Sequence, residues 1–259
     1  MQLRALLTAL CALLFSYALP FSAFAQKVTV AKPASVAVIE LFTSEGCSSC
    51  PPADALLRQI NLKQTSAGQL IVGISEHVTY WNSQGWRDPY SSPVFTERQS
   101  AYASRLSVEG SYTPQMVLNG REQFVGSNGN ALQKALLEDS RRRHLDVSIR
   151  SSNRTPSGLN VTFSLEQPIA KPLDIIAVLT DDADHSNVLR GENGGRLLQD
   201  VSVARSLTRV ATVKDNSEQS VHLPFPDTLK ADHNSGHHLI LFAQEPHQGA
   251  ILGAATVPF

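Results

Sequence analysis

Cys47 and Cys50, separated by two serines and followed at once by Pro51 and Pro52, are the residues of this chain best suited to chemistry. Such a pair can staple the fold, hold a metal, or cycle between dithiol and disulfide. A bridge across so short a loop removes little freedom from the unfolded chain, so a staple is the weakest explanation. Zinc normally takes two further Cys or His ligands, and there is no second Cys-x-x-Cys. His77 would complete a Cys47–Cys50–His77 set of the soft kind that suits Cu(I). Yet a lone histidine at a strand end is more often a loop hydrogen-bonder. The primary reading is therefore a redox pair.

Other residues join the pair on chemical grounds. Cys47, at the end of an apolar strand-like run, is expected to be the attacking thiolate, favoured by the positive end of the helix that Pro51 begins. Cys50, one turn further in, would resolve the mixed disulfide, while Glu45 opposes the thiolate by its charge. Pro114, in SYTPQMVLNG, stands directly before a strand, where a proline needs a structural reason. A cis Thr113–Pro114 bond would present backbone to a substrate held at Cys47. Glu40 lies inside the apolar run VAVIELF; buried, it would accept the proton of Cys50, and the bland alternative is a solvent-facing residue at a strand edge. Tyr80, Trp81, Trp86 and Tyr90 are candidates, with Thr113, for a substrate groove, or else pack beneath their own loop.

The elements that must position these residues change character along the chain. SVAVIELF and QLIVGIS read as strands buried on both faces, PPADALLRQI and PVFTERQSAYASRL as helices, and PQMVL and EQFVG as strands joined at Asn119-Gly120. Between them, residues 77–93 form a long loop. A last helix runs from about Asn128 to Arg142 and ends in a basic run read as a solvated helix end. After Leu145 come short strand-like segments separated by turn residues, as in an all-β sandwich. RGENGGR, residues 190–196, reads as a turn between two of them, and His233, His237 and His238 as a solvated loop. GISEH lacks the second glycine of a serine-hydrolase elbow.

Residues 1–25 have the form of a secretory signal peptide: Arg4, an apolar run, then small residues before Gln26. Leu10 precedes Cys11 where lipid attachment wants a small residue. Cleavage would leave an exported, periplasmic or secreted protein with no membrane anchor, and two cysteines instead of three. With 22 Lys+Arg against 23 Asp+Glu, nothing suggests a nucleic-acid partner.

Strand, Cys-x-x-Cys at a helix start, a distal Thr-Pro entering a strand, an Asn-Gly hairpin, Gly126 and a closing helix together resemble the thioredoxin fold. TPQMVLNGREQFVGSNGNAL is similar to the glutaredoxin ending. More closely, ELFTSEGCSSCPPAD with YWNSQGWRDPYSSPVFTERQ and YTPQMVLNG resembles a secreted bacterial family, domain of unknown function 1223. The resemblance implies an α/β thioredoxin-like domain (residues 26–144) followed by an all-β sandwich-like C-terminal domain (145–259). From thioredoxins it carries the nucleophile to Cys47, the resolving role to Cys50 and the cis-proline to Pro114. The aromatic and Gly-Pro of the WCGPC motif are absent here. The activity implied is thiol–disulfide oxidoreduction on protein or small-molecule thiols, without a cofactor; the alternatives are copper or zinc binding by the same thiols and an inert bridge.

Overall fold

Apolar runs with no polar face build the centre of the protein. The computed structural model describes residues 33–229 and 236–259; the segment read from sequence as a signal peptide and His233 lie outside them. SVAVIELFT forms β1 (Ser35–Thr43) and QLIVGISEH forms β2 (Gln69–His77), parallel and in register throughout. Every residue from Ala37 to Thr43 is buried, as the near-continuous hydrophobic pattern requires.

The helix α1 (Pro51–Ile60) begins with two prolines, whose missing N–H groups cost nothing in the first turn. It lays Ala53 and Leu57 against Ile39 and Leu41 of β1. A Cβ at Gly73 would come within 2.6 Å of Leu57 Cδ1, so the glycine lets α1 approach β2. On the other face α2 (Pro93–Arg105) packs Phe95 against Val38 and Ile74. Ser92 caps α2, its hydroxyl accepting from the amide of Val94. β3 (Gln115–Leu118) runs antiparallel to β1 and turns through Asn119 and Gly120, both at positive φ, into β4 (Glu122–Val125). The helix α3 (Gly129–Asp139) follows, capped by the Asn128 side chain.

The rest of the chain supplies β5 (Val147–Thr155), β6 (Gly158–Leu165), β7 (Leu173–Asn187), β8 (Leu197–Val213), β9 (Gln219–Pro224), β10 (His237–Gln244) and β11 (Ile251–Pro258). β5, β6 and β9 make a three-stranded sheet whose Leu159, Val161 and Phe163 pack on Ile175, Leu179 and Leu241 of β7 and β10. The remaining strands do not form a separate layer. They join the first half in one eight-stranded sheet, ordered β11-β10-β7-β8-β2-β1-β3-β4. The seam is β2–β8, where Ser75 pairs with Val203 and the Ser75 hydroxyl donates to Val201 O at 2.9 Å.

The expected architecture, an α/β thioredoxin-like domain followed by an all-β sandwich-like C-terminal domain, is therefore corrected. The protein is mostly β, with three helices among the described residues and one mixed sheet drawing strands from both halves. Periodicity identifies strands but not which strands pair. It also stopped short on β7 and β8, which run 15 and 17 residues because DDADHSN and LLQDVSVA continue their pairing.

Candidate functional site

Cys47 and Cys50 form a disulfide in the loop between β1 and α1, with Cys50 as the N-cap of the helix. The loop is tightly wound: the amide of Cys47 donates to Ser44 O at 3.1 Å, and that of Cys50 to Cys47 O at 3.2 Å. Ser49 Oγ lies 3.3 Å from Cys47 Sγ. Ser48 and Ser49 are exposed, yet both cysteines have 0% exposure.

Aromatic side chains from the 77–93 loop cover one flank. Trp81 spans from Gly46, where an added Cβ would lie 3.1 Å from Trp81 Cβ, to Thr113, whose Oγ1 accepts from the indole at 2.7 Å. Trp86 donates to Glu45 Oε2 at 2.7 Å. Tyr80 points instead toward α2, its hydroxyl donating to Gln99 Oε1 at 3.1 Å. The Thr113–Pro114 bond is cis, and Pro114 is buried beside the first turn of α1. Gly126 makes that approach possible, since a Cβ there would stand 2.9 to 3.1 Å from Leu41, Ala53 and Pro114.

The other flank is covered by the residues read from sequence as a simple turn. The tip of the β7–β8 hairpin lies across the cysteine loop. Asn193, wholly buried, donates through Nδ2 to Glu45 O and Cys47 O, both at 2.9 Å. The amide of Ser48 donates to Glu192 Oε2 at 2.9 Å. Two short polar residues in a glycine-rich turn gave no sign of this. The one signal available was that seven residues are more than a tight hairpin turn needs.

Behind the disulfide lies a cluster of buried acids around one imidazole. Asp54, four residues beyond Cys50, shares its helix face; its amide donates to Cys50 O, and its carboxylate accepts from Thr43 Oγ1 at 2.7 Å. Burial, reinforced by the nearby Asp200 carboxylate, pushes Asp54 up to about 8. Glu45 is raised to about 7, by burial first and then by Asp88. His77 Nδ1 meets Asp88 Oδ2 at 2.8 Å. Burial disfavours the imidazolium, but Asp88 outweighs it and lifts His77 to about 10, while Asp88 itself, despite burial, is lowered by His77. The two therefore form an ion pair. Nε2 of His77 and Oδ2 of Asp200 are buried without a hydrogen-bond partner.

This placement corrects the role expected of Glu40. Strand alternation turns Glu40 to the α2 face, away from α1 and the cysteines. It is buried, but its oxygens are taken by Arg98 Nε and by the Tyr102 hydroxyl, the latter at 2.6 Å. The carboxylate on the cysteine side is Asp54, at the i+4 position of a helix already legible in the sequence. A Cys47–Cys50–His77 metal set is not seen here: the cysteines are bonded to each other and His77 Nδ1 is turned to Asp88. Among the described residues no group of three or more His, Cys, Asp or Glu is arranged to hold a metal. His237 and His238 lie in β10 rather than in a solvated loop, facing Asp181 and Asp182.

The profile of a family described as protein of unknown function (DUF1223) matches residues 38–244. The chain belongs to the DUF1223 family. The matched span contains every residue of the site just described, from Glu40 to Asp200. The DUF1223 chain is also similar to a protein of Agrobacterium tumefaciens whose crystal structure came from a structural-genomics programme. The two are 28% identical, with a TM-score of 0.67, over 88% of this chain and 96% of that one. No curated protein is detectably similar to it.

Proposed function

We propose that this protein is an exported thiol–disulfide oxidoreductase acting through Cys47 and Cys50. The observation that carries the reading is the disulfide at the amino end of α1, with Cys50 as N-cap and with Pro114 and Ala53 of that helix both crowding Gly126. A substrate thiolate would attack Cys47 Sγ and break the bond to Cys50. Cys50 would leave as a thiolate and take up a proton, for which protonated Asp54 is the neighbouring donor. A second substrate thiolate would then attack the mixed disulfide, releasing Cys47 as a thiolate and the substrate as a disulfide. Two electrons pass from substrate to protein, and the partners are thiols and disulfides of proteins or small molecules.

One observation favours a second reading, an inert bridge: neither sulfur reaches solvent. The two are separated by equilibrating the protein, without its first 25 residues, in glutathione buffers and measuring exchange with a dithiol protein substrate. Catalysis requires that the pair titrate within the glutathione range and that Cys47→Ser abolish exchange. A Cys47→Ser variant exchanging as fast as the parent ends the catalytic reading. A pair that stays oxidised throughout favours the bridge.

A further inference from the structure

The cysteine loop is closed by residues about 146 positions further along the chain, and the closure is built rather than incidental. Asn193 is the only side chain of the 189–196 hairpin tip with no exposure, and both ends of its amide are used. Its Oδ1 accepts from Arg196 Nη1 at 2.9 Å, which fixes the amide so that Nδ2 faces the carbonyls of Glu45 and Cys47. The hairpin tip also rests on the 77–93 loop. A Cβ at Gly191 would lie 3.0 Å from Gln84 O and 3.3 Å from Trp86 Cβ, and Gly191 sits at φ 74°, open to glycine without strain. The remaining tie, Glu192 to the Ser48 amide, is solvent-exposed and correspondingly weak. Beyond Val188, which is buried at the base of the hairpin tip, the side chains other than Asn193 are exposed, from Leu189 and Arg190 to Glu192 and Arg196.

A segment held by a few polar contacts, with little apolar area of its own, opens at far lower cost than the sheet beneath it. We propose that the 189–196 hairpin tip is a gate over the Cys47–Cys50 disulfide and that Asn193 is its latch, a positioning residue that acts on the cysteine loop through two backbone carbonyls. The gate regulates the same site as the proposed oxidoreductase, and so rests on that reading for its purpose. The reagent that tests it does not.

That reagent is tris(2-carboxyethyl)phosphine, which reduces a disulfide to two thiols as the phosphine becomes its oxide, water supplying the oxygen and both protons. Losing two hydrogen bonds of ordinary net strength raises the open fraction about 30-fold. Asn193→Ala should therefore speed reduction of the oxidised protein by at least about tenfold, with amide exchange in β1 and β2 unchanged; a latch serving only stability would alter both. Asn193→Ser, retaining one donor, should fall between. A folded Asn193→Ala reduced within about twofold of the parent rate overturns the gate. Hydrogen exchange on the unaltered protein gives an independent reading. Peptides covering 45–50 and 189–196 should exchange together and well before β1; exchange of both only with global unfolding overturns the proposal. Faster phosphine reduction in the variant, with no protein exchange by the parent, would remove the oxidoreductase and leave the gate. The converse would remove the gate alone.

Discussion

The acid cluster behind the disulfide should make the protein's stability fall as pH rises through the neutral range. In the folded protein Asp54 keeps its proton up to about 8, whereas in the unfolded chain it loses it near 3.8. Between those values the folded state binds more protons, so stability is greatest at the acid end and declines with pH. Glu45, raised from 4.5 to about 7, adds to the decline in the same direction. The His77 cation, raised from 6.5 to about 10, contributes fully below 6.5 and is lost as pH climbs through 10. Asp88, lowered by His77, works in the opposite sense, but only near and below 3.8. Moving Asp54 alone from 3.8 to about 8 corresponds to roughly 6 kcal/mol at about 1.4 kcal/mol per pH unit. Asp200 shares the charge, so about half, ~3 kcal/mol, is assigned to Asp54. For a protein of this size that is a fall in Tm on the order of 10 °C. Thermal unfolding of the oxidised protein, followed by circular dichroism at fixed ionic strength from pH 5 to 8.5, measures it. Asp54→Asn should remove about a third of the decline, the rest coming from Glu45 and His77. A parent Tm that is flat or rises over this range, or a variant with the parent's slope, refutes the reasoning.

Two other substitutions probe the frame of the site. Glu40→Gln leaves Arg98 buried beside a weakened partner and should cost about 3 kcal/mol in urea unfolding. Because Glu40 faces α2, the rate of disulfide exchange should not change; a large loss of rate in a folded variant would restore Glu40 to the chemistry. Gly126→Ala forces a methyl against Leu41, Ala53 and Pro114 and should cost about 2 kcal/mol, with a neutral result showing that Pro114 and α1 are less tightly apposed.

The local elements of the first half were readable because each carries its own signal. Pro51-Pro52 opens α1, the apolar runs give β1 and β2, and Asn119-Gly120 turns β3 into β4. Short strand-like segments set off by turn residues likewise marked β5, β6 and β10 as strands. What they could not carry was partnership. Nothing in RSLTRVATV says that its strand extends back to Leu197 and lies beside β2, because the joining contacts are backbone pairings, among them Ser75 with Val203, that leave no side-chain pattern. The site divides in the same way. Cys47, Cys50 and Pro114 stand out by residue type, whereas Asp54, Asp88 and Asp200 look like ordinary surface acids until burial is known. Glu40 was legible as a buried carboxylate but not as an arginine's partner, since Arg98 is 58 residues away. Asn193 had no signal beyond the length of its turn, its role depending on a contact 146 residues distant in sequence.

That distance has a consequence for how the molecule is made. At about 5–20 residues per second, the chain that covers the cysteines is synthesised roughly seven to thirty seconds after them. Until β8 docks beside β2, the two sulfurs have no roof. Whatever oxidant joins them can therefore meet them in the nascent molecule without moving anything aside, and the finished protein inherits its bridge already closed over.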